Sequence, residues 1–419
     1  MKKIVLLYCI VVTFLLGVDA ELDIVRKGSI IPTIGVSVTN KSMDADLAKK
    51  IKDVLEQDFS VSGHFHVEDV TLKSDSIRSS FDFFNPAYSK LDLVLLLEIK
   101  NSLNNAIVVD VSLQDINSKI TKLLTTYQIG NQKRYPFLAH KIAIGINNEL
   151  KAPSIDWMDR FILISKYTSS KKSEIIVADY TLTYQQVVVN GGLNIFPKWA
   201  NKEQTSFYYT TFDKLYPTLI KQDLYSRKSE KILYSDGMAI CSDVSKNGNK
   251  LLVTLAPNGQ PDIYEYNLLT KEKERITKYS GIDVGANYLG NEDKIVFVSD
   301  RLGKANIFSQ SIGANNIQRL VYHGQNNTQA TAYNNYIIYS GREEGRSNFN
   351  LYLISTENNN LKKLTSSGAN QFPKFSQDGE SVLYVKNQGG KSSLGIIRLD
   401  YNKHFLFPLN IGKIQSIDW

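Results

Sequence analysis

Two hydrophobic patterns divide the chain. Between residues 31 and 149 the apolar positions recur at both strand and helix spacing. From residue 160 onward they come in short runs broken by turn residues. In the first region, residues 34–38 predict a strand. Leu47, Ile51, Val54, Leu55 and Phe59 then fall on one face of a helix, with Ser42 or Asp44 placed to cap it. Residues 93–99 are almost wholly apolar, as expected of a strand covered on both faces. Residues 106–115 and 120–129 flank a polar turn and predict an antiparallel hairpin. Ala139, Ile142, Ala143, Ile146 and Leu150 predict a closing helix over residues 137–150. These elements make an α/β domain of residues 31–150, with 151–154 as the linker that follows it.

Beyond residue 155 the pattern repeats. Residues 371–386 read as a strand ending at Phe375, a turn on Asp378-Gly379 and a second strand at 382–385, a strong hairpin signal. Counterparts of Phe375 occur at Trp199, Val244, Tyr288, Tyr333 and Trp419, in steps of 42 to 45. A second column, Asp179, Asp223, Asn267, Ser311, Ser355 and Asp400, keeps steps of 44 or 45. A third, Val188, Ile232, Ile276, Leu320 and Leu364, steps by 44 throughout. One unit holds four strand candidates, near 240–244, 250–254, 262–267 and 274–277. Four strands in this period predict a β-propeller blade. A helical solenoid is the weaker reading, because the units lack helical spacing and are rich in Tyr, Val, Ile and Thr. The first unit, residues 160–194, has three strands of its own, and residues 414–419 are a lone first strand. That strand is expected to complete the first blade. Residues 155–419 then form an all-β six-bladed β-propeller closed by a C-terminal strand, which leaves few exposed sheet edges.

The ends and the charge add an address. Lys2 and Lys3 precede an apolar run over residues 4–16, and small residues precede Glu21, the layout of a cleaved signal peptide over residues 1–20. The run is short for a membrane span, so an exported soluble protein is expected. Residues 21–30 alternate apolar and polar positions. They suit either addition to a partner's sheet or an edge strand of their own domain. The formal net charge of +7 has no long basic block and argues against sequence-specific nucleic-acid binding. Loss of the leader removes Cys9 and leaves Cys241 alone, so no intramolecular disulfide is expected.

Motifs of hydrolysis, phosphate binding and zinc ligation are absent. His64 and His66 stand two apart and would share a strand face, but no third ligand accompanies them. No catalytic residue, cofactor or metal is expected. Asp236, Asp283, Asn326, Asn327 and Asp378 sit at turns, where such side chains bond the local backbone; a cation-holding ring in the channel is the alternative. In a four-stranded blade the inter-blade connections share one face with the second-to-third strand loops. They run near 235–239, 278–283, 322–328 and 367–371 and mix apolar with polar residues, as recognition surfaces do. Asp236, Gly237, Met238, Ala239, Ile282, Asp283, Tyr322, His323, Asn326, Asn327 and Thr328 are therefore the candidate contact residues, with Met238, Ile282 and Tyr322 as apolar anchors.

Leader, α/β domain and closed propeller together resemble the TolB family of the periplasmic Tol–Pal system. The segments 375–379 (Phe-Ser-Gln-Asp-Gly), 262–264 (Asp-Ile-Tyr), 296–300 (Val-Phe-Val-Ser-Asp) and Leu364-Thr365 resemble the family's repeat. The resemblance implies a non-enzymatic periplasmic scaffold, monomeric, linking the outer-membrane lipoprotein Pal to TolA. Its role would be outer-membrane integrity and invagination at division. It implies docking of Glu21, Leu22, Asp23, Ile24 and Val25 onto TolA, and of the connection residues onto Pal. The family's histidine in the second connection is replaced here by Asp236-Gly237, and Asn291-Glu292-Asp293 and Asn334-Asn335 replace the turn Asp-Gly. The competing classes are a propeller hydrolase or lyase and a polymer-binding periplasmic propeller.

Overall fold

The computed structural model describes residues 31–419 apart from 40, 71–75, 78–80, 102–104, 213–214 and 359. The expected leader and the docking segment, Glu21 to Val25 included, lie outside the described residues.

The first part is a mixed five-stranded sheet with two helices on one face. Its strands are β1 (Thr33–Val38), β2 (His66–Glu68), β3 (Leu93–Asn101), β4 (Ile107–Asp115) and β5 (Ile120–Ile129), in the order β2-β1-β3-β4-β5. β1 runs parallel to β2 and β3, while β3, β4 and β5 are antiparallel. Helix α1 (Ala45–Ser62) begins at Asp44, whose carboxylate accepts the Leu47 N–H at 2.9 Å, and ends at Gly63 with φ 78°. Ser42 does not cap the helix. Its hydroxyl accepts the Ile99 N–H at 3.1 Å and ties the α1 entry to β3. Helix α2 (Tyr135–Glu149) opens with Pro136 and packs on α1 and β5. Leu93, Leu95, Leu97 and Ile99 of β3 join the core under the helices, and Val94 and Leu96 join a second core with Tyr88 and Leu91. A strand buried on both faces needs such a run, here apolar from Leu93 to Leu97 and again at Ile99.

His64 and His66 do not share a face. His66 lies exposed on β2, but His64 precedes the strand and its Nδ1 lies 2.6 Å from Asn147 Oδ1. The Asn147 amide in turn donates to the carbonyls of Ala152 (3.4 Å) and Pro153 (2.8 Å), pinning the segment that leads into the propeller.

Six four-stranded sheets follow. The inner strands of blades 2 to 6 are Asn194–Trp199, Ala239–Val244, Asp283–Leu289, Asn326–Tyr333 and Ala369–Phe375. Blade 1 is ordered Lys413–Asp418, Ile162–Ser169, Lys172–Ala178, Gln185–Val189, so the C-terminal strand is its innermost member and closes the ring. The turn at Asp378-Gly379 shows why glycine stands there: φ is +79°, and a Cβ would come within 2.2 Å of the Tyr333 ring of the preceding blade.

One register correction emerges. Trp199 pairs with Phe207, Val244 with Leu251, Tyr288 with Ile295 and Phe375 with Val382. In blade 5 the equivalent pair is Ala332 with Ile337, so Tyr333 lies one residue beyond the column that the aromatic spacing suggests. Each of the six inner strands also slips register once against its neighbour. At these bulges Phe196, Gln329 and Phe372 hold φ of +52° to +54°. The Phe196 and Phe372 amides donate to the preceding blade, to Ser416 Oγ and Gln329 Oε1, both at 3.0 Å.

The α/β part and the propeller share one hydrophobic cluster, running from Phe59 and Phe137 through Trp157 and Tyr180 to Leu383 and Ile417. Within it sits a buried ionic group. His140 Nδ1 is 2.8 Å from Asp58 Oδ2, and its Nε2 is 3.4 Å from Asp179 Oδ2; the Tyr180 hydroxyl donates to Asp58 Oδ1 at 2.5 Å. Burial opposes charge on His140, but Asp58 first and then Asp179 outweigh it and push its pKa up to about 10. Asp179 belongs to the column whose members in blades 2 and 3, Asp223 and Asn267, accept backbone N–H groups of the outer turn. It does the same for Thr181 and Tyr184, and also faces His140.

Candidate partner-binding face

Antiparallel blades bring each inter-blade connection to the same end of the propeller as the loop between second and third strands. Hydrogen bonds zip the two together. Gly237 N donates to Ala256 O (3.1 Å), Asp300 N to Ile282 O (3.2 Å), and Gln325 N to Arg342 O (2.8 Å). In addition, Ile282 N donates to the Asp300 carboxylate at 2.8 Å. These bonds satisfy the loop backbone and hold the outward side chains in place.

The candidate residues separate into two groups. Tyr322 (76% exposed), Ile282 (47%), Asp236 and Gly237 reach solvent, and Met238, His323, Asn326 and Thr328 are half-buried. Ala239, Asp283 and Asn327 are fully buried at the starts of their inner strands, so they correct the expectation of direct contact. Asn327 Nδ2 donates to His323 O (2.8 Å) and Asn306 Oδ1 (3.2 Å), locking the connection between blades 4 and 5. Asn370 does the same for the next connection, through Ser367 O (3.0 Å) and Gly368 O (3.3 Å). Asp283 instead accepts both contacts of the Arg301 guanidinium, at 2.9 and 3.0 Å.

Other apolar side chains at this end do not stand out in the sequence. Leu302 and Leu215 lie in second-to-third strand loops, Ile411 in the connection from blade 6 to blade 1, and the stacked Tyr216 and Tyr234 on blade 2; all are exposed. A signal exists, since each is an apolar residue in a loop otherwise built of turn-formers. With Ile282 and Tyr322 they spread apolar surface around the mouth, the composition of a protein-docking site.

The channel's other end is different. The bulges bring one side chain per inner strand to equivalent positions: Lys198, Asp243, Asn287, Thr331, Lys374 and Asp418, in steps of 43 to 45. Lys198 bridges Asp243 (3.2 Å) and Asp418 (3.3 Å), and Lys374 reaches Asp418 at 3.3 Å. Burial works against the Lys198 charge, yet Asp418 and Asp243 outweigh it and its pKa is raised. For Lys374 burial prevails, Lys198 adds to it, and the pKa is lowered. Both carboxylates also accept backbone N–H groups, from Trp199 (2.9 Å) and Tyr288 (3.0 Å). The ring neutralises itself with protein cations. Cys241 lies beside it, buried and outside any disulfide, its thiol pKa raised by burial.

A closed six-bladed propeller behind a mixed α/β domain, with hydrogen-bonded connections at one end, defines the class: a β-propeller protein with an N-terminal α/β domain. The model of the TolB beta propeller domain matches residues 158–419. Relatives called "Tol-Pal system protein TolB" are 44% identical in Wolinella succinogenes, over 97% of both chains, and 44% identical in Campylobacter jejuni (strain RM1221), over 100% of both. The chain belongs to the TolB family. The crystal structure of TolB from Acinetobacter baumannii is similar in fold, with a TM-score of 0.78 over 93% of this chain and 97% of that one at 22% identity.

Proposed function

We propose that this protein is a periplasmic scaffold of the Tol–Pal system that binds a Pal-like lipoprotein at the connection face and TolA through Glu21–Val25. Coupling the two would support outer-membrane integrity and constriction at division. The observation that carries the reading is the pairing of exposed apolar side chains with a hydrogen-bonded loop backbone around one mouth of the propeller. Loops whose backbone is held in this way lose little main-chain freedom on docking. Family membership supplies the partner class, because the relatives are named for the Tol–Pal system. Among the described residues no helix is long and apolar enough to cross a membrane.

The test is binding of the soluble domain of the same organism's Pal and of TolA to the mature full-length protein. The double variant Ile282→Ala/Tyr322→Ala should weaken Pal binding by about 30-fold or more, as removal of central anchors does. It should leave TolA binding unchanged. Deleting residues 21–25 should abolish TolA binding. Full Pal affinity in the double variant refutes the docking face, and undiminished TolA binding by the deletion refutes the N-terminal half.

A further inference from the structure

Between blades 4 and 5, on the proposed docking face, lies a cavity of about 350 Å³ whose polar lining is rich in donors. Leu302 and Lys304 come from the loop of blade 4, Asn306 and Arg319 from its third and fourth strands, and the 324–325 backbone from the connection. Asn306 is 7% exposed. Its Oδ1 accepts the Ile307 N–H (2.8 Å) and the Asn327 amide (3.2 Å), which fixes the oxygen inward. Its Nδ2 opens onto the cavity and has no protein acceptor among the described residues.

The two cations are also uncommitted. Elsewhere in the propeller Arg275 pairs with Asp262, Arg301 with Asp283, Lys250 with Glu265 and Lys363 with Glu343. Lys304 and Arg319 have no carboxylate within ion-pairing distance among the described residues. Arg319 is held by its Nε, which donates to Val321 O at 2.7 Å, and by Tyr322, whose ring centroid is 4.7 Å from its guanidinium carbon. This tether leaves the terminal guanidinium nitrogens without an acceptor. One carboxylate near the rim, Glu344, is engaged by the Gln325 amide at 3.1 Å.

We infer that this notch receives an acidic side chain of the docked lipoprotein, its carboxylate meeting Arg319, Lys304 and the Asn306 amide while Tyr322 and Leu302 cover it. The inference rests on the docking-face reading above and specifies its chemistry. Three donors around one carboxylate give charge-assisted hydrogen bonds and a fixed register for the partner, and the apolar rim shields them from solvent.

The experiment measures affinity of the mature full-length protein for the soluble Pal domain at about 50 and about 300 mM NaCl, a span over which surface charge is progressively screened. The variant Lys304→Gln/Arg319→Gln, checked for unchanged thermal unfolding, should bind about 10- to 100-fold more weakly and lose most of the salt dependence. Single Asp→Asn and Glu→Gln variants of Pal should include one that weakens wild-type binding but changes nothing against the double variant. If wild-type protein does not bind Pal at all, the docking-face reading fails. If it binds and the double variant matches it within twofold, or every Pal variant acts additively, the notch assignment is overturned. Inorganic phosphate that stabilises wild type and not the variant, with Pal affinity equal in both, would make it a small-anion site and overturn the assignment as well.

Discussion

The two ends of the propeller solve opposite problems. Where the α/β part packs on blades 1 and 6, apolar side chains are continuous across the seam, and His140, Asp58, Asp179 and Tyr180 satisfy one another in the interior. At the connection end the backbone is equally well bonded, but Ile282, Leu302 and Tyr322 point outward. Polar groups at the first end are buried to hold two parts of one chain together. Apolar groups at the second are exposed where a second chain can cover them. Loss of a side chain should therefore be felt as stability at one end and as affinity at the other.

The largest test removes residues 414–419. Blade 1 then loses its inner strand, and Asp418 no longer meets Lys198, Lys374 or the Trp199 amide. The ring should open, with hydrogen exchange accelerated most over residues 162–169. Protection retained there would mean that closure does not hold the seam.

Next comes His140→Ala, which leaves Asp58 and Asp179 buried without their cation. The expected loss is about 3–5 kcal/mol in chemical unfolding, because an uncompensated buried charge is costly. The raised His140 pKa has a definite sign. Folding favours the protonated imidazole, so its stabilisation is complete below the unfolded value near 6.5 and declines as pH rises toward about 10. Wild-type stability should fall across that window, and the fall should be missing in the variant. Equal slopes would remove His140 from the account.

The smallest stability effects divide the connection face itself. Asn327→Ala should cost about 1–3 kcal/mol, since it strips a buried amide from His323 O and Asn306 Oδ1. Tyr322→Ala should stay within about 0.5 kcal/mol, as exposed positions do. Reversed magnitudes would show that the lock and the anchor have been confused.

That distinction marks how far the sequence can be read. An inner strand beginning with Asn or Asp looks like an exposed turn in one dimension, as Asp283 and Asn327 do. In the fold both are buried: the Asn327 amide donates to a carbonyl of the connection, and the Asp283 carboxylate accepts from the Arg301 guanidinium. The column slips by one residue at Tyr333, because in blade 5 Ala332 takes the paired position that Trp199, Val244, Tyr288 and Phe375 hold elsewhere. Residues contributed by strand loops, such as Leu302, carry no periodic mark. Arg319 does sit in a column with Lys231, Arg275 and Lys363, but only the fold shows that Arg275 meets Asp262 while the equivalent partner of Arg319 is the uncharged Asn306.

What the sequence determined by itself was the periodic part. Helical spacing around Leu47 to Phe59, the almost wholly apolar run of β3, a repeat of steps near 44 residues and the unmatched final strand dictate the elements and their closure. Each follows from burial along a single element or from a missing partner strand. The tertiary structure decided every pairing between distant segments. Asp179 is a turn residue by its column, and only packing of α2 against blade 1 sets it facing His140. Lys198 and Asp418 stand far apart in the chain, and only ring closure brings them within 3.3 Å. Electrostatic partnership depends on distance in space, and the spacing of residues along a chain carries no record of it.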